Sequence, residues 1–106
     1  MNGLLQVTGF DWGEGNSRKN AEKHGVNQAE AEQVFLNEPL LVLGDVRHSQ
    51  QEPRFHALGR TDTGRLLHLT FTVRGEGKLI RVISARDMNR KERNIYDQKN
   101  KSSAPV

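Results

Sequence analysis

Residues 54–86 read RFHALGRTDTGRLLHLTFTVRGEGKLIRVISAR, and this stretch decides the fold. Residues 54–60 alternate, with Phe55, Ala57 and Gly59 on one side and Arg54, His56, Leu58 and Arg60 on the other. Residues 65–74 do the same, setting Leu67, Leu69, Phe71 and Val73 against Leu66, His68, Thr70, Thr72 and Arg74. A period of two is the signature of half-buried strands. Residues 78–86 are apolar at both parities except at the basic positions and Ser84, which suits a central strand. Asp62-Thr63-Gly64 fits a three-residue hairpin loop with glycine at the left-handed position, and Glu76-Gly77 fits a two-residue turn.

Those turns set the register. With Thr61 opposite Arg65, Ala57 pairs with Leu69, Phe55 with Phe71, His56 with Thr70 and Arg54 with Thr72. With Gly75 opposite Lys78, Phe71 faces Val82, Val73 faces Ile80 and Thr72 faces Arg81. A slip of one residue would bury Arg81 beside Phe71, a far costlier arrangement. The expectation is that Arg54, His56, His68, Thr70, Thr72 and Arg81 share one face of the sheet, opposite the helices.

Upstream, residues 5–12 alternate briefly (Leu5, Val7, Phe10, with Trp12), as an edge strand would. A short helix is expected over Ser17–Lys23, stopped by Gly25. A second follows, with Asn27 and Glu30 at capping-box spacing, Val26 stapled to Ala31, and Ala31, Val34 and Phe35 as its apolar face. Pro39 closes it at the preceding residue. Leu40–Leu43 is a short apolar strand entering a polar loop from Gly44 to Pro53. Asp87 can cap a last helix from Met88 to about Tyr96, and the polar residues beyond it read as a disordered tail.

At 106 residues the chain is one domain with a single modest core. It has no cysteine, which excludes disulfides and thiolate chemistry. It has no long apolar run, and its N-terminus lacks the order of a signal peptide, so a soluble cytoplasmic protein is expected. Charge is divided unequally. Residues 1–53 hold 4 Lys and Arg against 8 Asp and Glu, whereas residues 54–106 hold 12 against 5. Arginines planted on a strand face can engage phosphate bidentately, which points to an anionic polymer such as nucleic acid. The competing interpretation is an ordinary solvated sheet face.

The four histidines, His24, His48, His56 and His68, match no metal-ligand spacing, and no metal or cofactor is expected. His24, followed by glycine, suits a helix terminus. His48-Ser49 with Glu52 invites a triad reading, but a triad is defined by geometry, not by a cluster in one loop. The Gly13-x-Gly15 and Gly75-x-Gly77 pairs are too sparse for nucleotide loops and read as turns. Arg90-Lys91-x-Arg93 on the last helix is suited to RNA backbone, an acidic partner or plain solvent.

The order of short motifs adds a resemblance. Phe10 and Trp12, then Lys23-His24-Gly25-Val26, Val34-Phe35, His48-Ser49 with Glu52 and Arg54, Gly64-Arg65-Leu66-Leu67, Arg81-Val82-Ile83-Ser84-Ala85-Arg86, and finally Glu92 and Tyr96 together resemble the BrnT toxin family over residues 10–97. The resemblance implies a RelE-like α+β fold: N-terminal helices packed on one face of an antiparallel sheet of four to five strands, plus a C-terminal helix. It implies one toxin domain over residues 1–97, with residues 98–106 as the tail. It further implies a metal-independent endoribonuclease that arrests growth, from a type II toxin–antitoxin system. The partners implied are an RNA substrate and a ribbon-helix-helix antitoxin, with operator DNA reached only through that antitoxin and a toxin–antitoxin heterotetramer.

Family positions carry over to Glu52, Arg54, Arg65, Arg81 and Arg86. Under this reading Arg81 and Arg54 bind the scissile phosphate, and Arg65, Arg86, Arg90 and Arg93 grip flanking phosphates. Glu52 orients an arginine or serves as a base, and His56 is an acid/base group. The chain departs from the family pattern at Gly13 and Asn16, where Asp and Lys are usual, at Pro53, where a second charge is common, and at His68, where an apolar residue is usual. A different class stays open: a non-catalytic module that binds nucleic acid or antitoxin, as an inactivated toxin kept for operon regulation would.

Overall fold

The computed structural model describes residues 6–12, 24–45 and 52–103. The helix expected over 17–23, the departures at Gly13 and Asn16, and the His48-Ser49 pair lie outside them. Five strands form one sheet: β1 (Gly9–Phe10), β2 (Leu41–Gly44), β3 (Phe55–Arg60), β4 (Leu66–Arg74) and β5 (Leu79–Asp87), in the order β1-β5-β4-β3-β2. Helix α1 (Gln28–Leu36) lies between β1 and β2, and α2 (Arg90–Ser103) follows β5.

Turn chemistry builds the middle of the sheet as the sequence predicts. Thr61 N–H donates to Arg65 O across the first loop, and Gly64 sits at φ 89°. At the second turn Glu76 and Gly77 both have positive φ, 62° and 83°, as a type I′ turn requires. The resulting pairs, Phe55 with Phe71, His56 with Thr70, Ala57 with Leu69, Thr72 with Arg81 and Val73 with Ile80, are those read from the sequence.

Beyond Val82 the register shifts. A bulge inserts Ile83, so Thr70 pairs with Ser84, Leu69 with Ala85 and His68 with Arg86. An extra residue reverses the alternation of everything after it. Without it Ala85 would share the face of His68; with it Ala85 enters the core and Arg86 joins the face of Arg81.

The sheet is mixed, which corrects the antiparallel expectation. Strand β1 runs parallel to β5, with Gly9 beside Leu79 and Phe10 beside Ile80. The order therefore opens on a strand, and each described helix follows one. Helix α1 begins as expected: Asn27 Oδ1 accepts from Glu30 N–H at 2.8 Å, and Glu30 Oε1 accepts from Asn27 N–H at 3.2 Å. It buries Ala31 and Val34 against Ala57, Leu67, Leu69, Phe71, Ile80, Val82 and Ala85. Phe10, Phe35, Phe71 and Phe55 form a chain of ring contacts at 5.7, 5.0 and 5.4 Å between centroids. Trp12 Nε1–H donates to Glu32 Oε2 at 2.7 Å, tying the N-terminal edge to α1.

The helix can sit this close because Gly59 has no side chain. A Cβ there would lie 2.7 Å from Val34 Cγ1 and 3.3 Å from Val34 O. Gly59→Ala is expected to destabilise the domain by about 2 kcal/mol, since a buried branched side chain and a helix backbone must both yield. A denaturant midpoint unchanged from the parent would refute this account.

Helix α2 packs on the second face, not with α1, which corrects the expectation of a face opposite all helices. Leu58, with Leu41 and Leu66 beside it, leaves an apolar end there, and Met88 and Tyr96 cover it. The Tyr96 hydroxyl donates to Pro39 O at 2.8 Å. Its cap is Asn89, which exchanges hydrogen bonds with Glu92; Asp87 instead ends β5. The helix runs to Ser103, through residues 98–103 of the expected tail.

Candidate active site

The second face carries three rows across β3, β4 and β5. His56, Thr70 and Ser84 form the middle row. Arg81 lies opposite Thr72 on one side of it, and Arg86 lies opposite His68 on the other. The bulge at Ile83 makes this possible, because it alone puts both arginines on one face. Helix α2 packs at the Arg86 end; at the other, Thr72 is buried and its hydroxyl donates to Pro53 O, while Arg81 keeps 30% of its side chain exposed.

His56 has an oxygen at each ring nitrogen. Asp45 Oδ2 lies 2.9 Å from Nε2, and Thr70 Oγ1 lies 3.2 Å from Nδ1. Asp45 comes to hand because its N–H donates to Arg54 O at 2.8 Å, extending the β2–β3 ladder past Gly44. Sequence reading missed Asp45, since nothing in the loop 44–53 signalled which residue would sit against His56. The His68 ring packs on His56 with centroids 5.0 Å apart and planes at 34°. His68 Nε2 lies 3.8 Å from Glu92 Oε2, while its Nδ1 is buried with no hydrogen-bond partner.

Burial, then the Arg86 charge, lowers the His68 pKa below its ordinary value, so the ring is held neutral. A buried nitrogen without a partner costs about 1–3 kcal/mol. His68→Leu is therefore expected to stabilise the domain by about 1 kcal/mol at neutral pH. The gap should widen on acidification. Below about pH 6.5 the unfolded chain takes up a proton that the folded ring refuses, so parent stability falls from there down to the lowered folded value. Thermal unfolding of both proteins between pH 5 and 8 checks this; parallel curves would contradict it.

The arginines differ in what they hold. Arg86 directs Nη1 and Nη2 at the two Glu92 oxygens, 2.8 and 2.9 Å away. Burial raises the Glu92 carboxyl, but the Arg86 fork and the Asn89 N–H outweigh it and leave it below the ordinary value. Arg81 has a looser partner, Asp11 Oδ2 at 3.7 Å. Arg54 is half-buried just before β3. Glu52 sits at the edge of the face, 3.3 Å from Arg74, not at the centre. Arg90 and Arg93 are exposed on α2.

Arg65 is placed elsewhere. It donates from Nε and Nη2 to Asp87, from Nη1 to Glu30 and Gly25 O, and from Nη2 to His24 O. The hydrogen bonds that Arg65 donates to Asp87 lead in raising its pKa against the opposing effect of burial. All five donors of the guanidinium are thus engaged in joining the start of α1 to the end of β5, and none is left over for a flanking phosphate. Among the described residues no group of three or more His, Asp or Glu is arranged to hold a metal ion, and no helix is long and apolar enough to cross a membrane.

Fold and site together define a small α+β protein that places imidazole, hydroxyl and guanidinium groups on one sheet face. The chain belongs to the family of BrnT ribonuclease toxins of type II toxin–antitoxin systems, whose pattern it matches over residues 12–92. Membership implies an RNA substrate and an antitoxin partner. Among solved structures it is similar to the Brucella abortus ribonuclease toxin BrnT, known at 1.1 Å resolution, with 21% identity and a TM-score of 0.60. That likeness covers 79% of this chain and 100% of the Brucella chain, and it shows a shared fold. Among curated proteins no sequence matches.

Proposed function

We propose that the chain is a metal-independent endoribonuclease that cuts RNA on the second face of its sheet and thereby arrests growth. The observation that carries this reading is the His56 row lying between two arginines of one strand, Arg81 and Arg86. Two strand spacings and an offset of one row put Arg81 roughly 12 Å diagonally from His56, a gap that the long arginine side chain narrows to the scale of a nucleotide. In the reaction His56 takes the proton of a ribose 2′-hydroxyl, and the freed oxygen attacks the adjacent phosphorus. The bond to the 5′-oxygen breaks, and that oxygen leaves with the proton His56 gained. Arg81, helped by Arg54, holds the phosphate and offsets the charge that develops on it. Arg90 and Arg93 stand along the remaining backbone, Arg86 is held to the end of the face by Glu92, and Glu52 orients Arg74 at the rim.

The fold is RelE-like under this reading, and the protein acts in the cytoplasm. Its antitoxin is a ribbon-helix-helix protein that covers the arginines in a heterotetramer and alone contacts operator DNA. Purified chain, incubated with RNA in the presence of a chelator, should cut it, and His56→Ala should not. Induction of the chain alone in bacteria should stop growth. Intact RNA with unaffected growth would instead favour the non-catalytic binding module.

A further inference from the structure

Which nitrogen of His56 keeps its proton decides which atom of the ring can accept one, and Asp45 occupies the position that makes this choice. Its side chain is only 10% exposed, and Oδ2 stands 2.9 Å from Nε2. An ionised carboxylate only accepts hydrogen bonds, so Nε2 is the donor. A neutral imidazole carries a single N–H, and Nδ1 is left with its lone pair. The partner at Nδ1 agrees: the Thr70 hydroxyl can turn to donate to it across 3.2 Å. The opposite tautomer would press the Nε2 lone pair against a buried carboxylate. Among the described residues, the other charged or titratable groups on this face include Arg54 just before β3, Arg81 opposite Thr72, and the cluster at His68. His68 stacks on the ring from β4, Arg86 faces His68 from β5, and Glu92 approaches His68 from α2.

Resting on the ribonuclease reading, we propose that Asp45 is the positioning residue of His56: its buried carboxylate fixes the Nε2–H tautomer and turns Nδ1 toward the 2′-hydroxyl. An incoming 2′-hydroxyl takes the place of the Thr70 hydroxyl at Nδ1. When Nδ1 accepts the proton, Asp45 balances the imidazolium charge from the far side of the ring, as a carboxylate does in a catalytic triad. A residue that merely supported the loop would not set the tautomer, so the two roles separate by spectroscopy.

The test uses the full chain with nitrogen-15-labelled histidine, whose protonated and bare ring nitrogens resonate far apart. The parent should show His56 as Nε2–H at pH 8, and Asp45→Asn and Asp45→Ala should both lose that preference. The near-isosteric Asp45→Asn guards against a variant that fails to fold. In RNA cleavage both should lower kcat about tenfold or more, with KM within twofold. An Nδ1–H ring in the parent would overturn the proposal, as would an Asp45→Asn protein with parental ring spectrum and kcat. A parent that cuts no RNA but shows Nε2–H, lost in both variants, would overturn the ribonuclease reading and uphold the tautomer assignment.

Discussion

Arg81→Ala is expected to lower RNA cleavage by about 10²–10³-fold, the usual loss when one preorganised charge-stabilising donor is removed. The fold should hardly notice. Arg81 lies on the second face with its side chain 30% exposed, and its partner Asp11 lies at 3.7 Å with 38% exposure. An ion pair so long and so wet contributes little to stability. The melting temperature should stay within a few degrees of the parent. Arg81→Lys should recover only part of the activity, because an ammonium keeps the charge but loses the planar fork that meets two phosphate oxygens. Cleavage by Arg81→Ala at the parental rate would remove Arg81 from the chemistry and leave the sheet face as a binding surface.

Arg65→Ala should do the reverse. Here the expected loss is stability, about 2–3 kcal/mol, or roughly 10–15 °C in melting temperature for a domain of this size. The guanidinium is 28% exposed and ties Glu30, the carbonyls of His24 and Gly25, and Asp87 into one knot. Its removal leaves two carbonyls and a partly buried Glu30 to find water. Asp87→Ala should cost less, since that carboxylate is 61% exposed and already half screened. RNA affinity measured on folded Arg65→Ala protein should change little. A variant that melts with the parent but binds RNA much more weakly would return Arg65 to the phosphate-gripping role its family position suggests.

How far the sequence could be read depended on the range of the interactions involved. The β3–β4 and β4–β5 pairings were legible because a turn of known length joins each pair, and parity then forbids a one-residue slip that would bury Arg81. The start of α1 was legible for the same reason: Asn27 and Glu30 are three residues apart and complete their exchange locally. The bulge at Ile83 was not. Residues 82 and 83 are both apolar, so the run from Lys78 to Arg86 has no break in alternation to mark an inserted residue. The parallel pairing of β1 with β5 joins Gly9 to Leu79 with no short turn to announce it. The capping site of α2 moved from Asp87 to Asn89 because β5 ends one residue later than its pattern suggests, at Asp87, and Arg65 claims the Asp87 carboxylate.

The sequence by itself determined the central three-stranded sheet, its register up to Val82, the capped helix that covers one face, and the place of His56 and Arg81 on the other. All of these follow from alternation, turn length and capping, which act within a few residues or across one hairpin. Tertiary structure alone decided which cations are already engaged. Arg65 and Arg86 are indistinguishable from Arg81 in a sequence, yet one is knotted to Asp87 and Glu30, one is forked onto Glu92, and only Arg81 keeps a loose partner. It also decided that Asp45 meets His56, because a carboxylate and an imidazole eleven residues apart meet only through the ladder that joins β2 to β3. Whether a charge serves the fold or faces the substrate depends on which opposite charge lies within hydrogen-bonding distance, and that distance is set by packing.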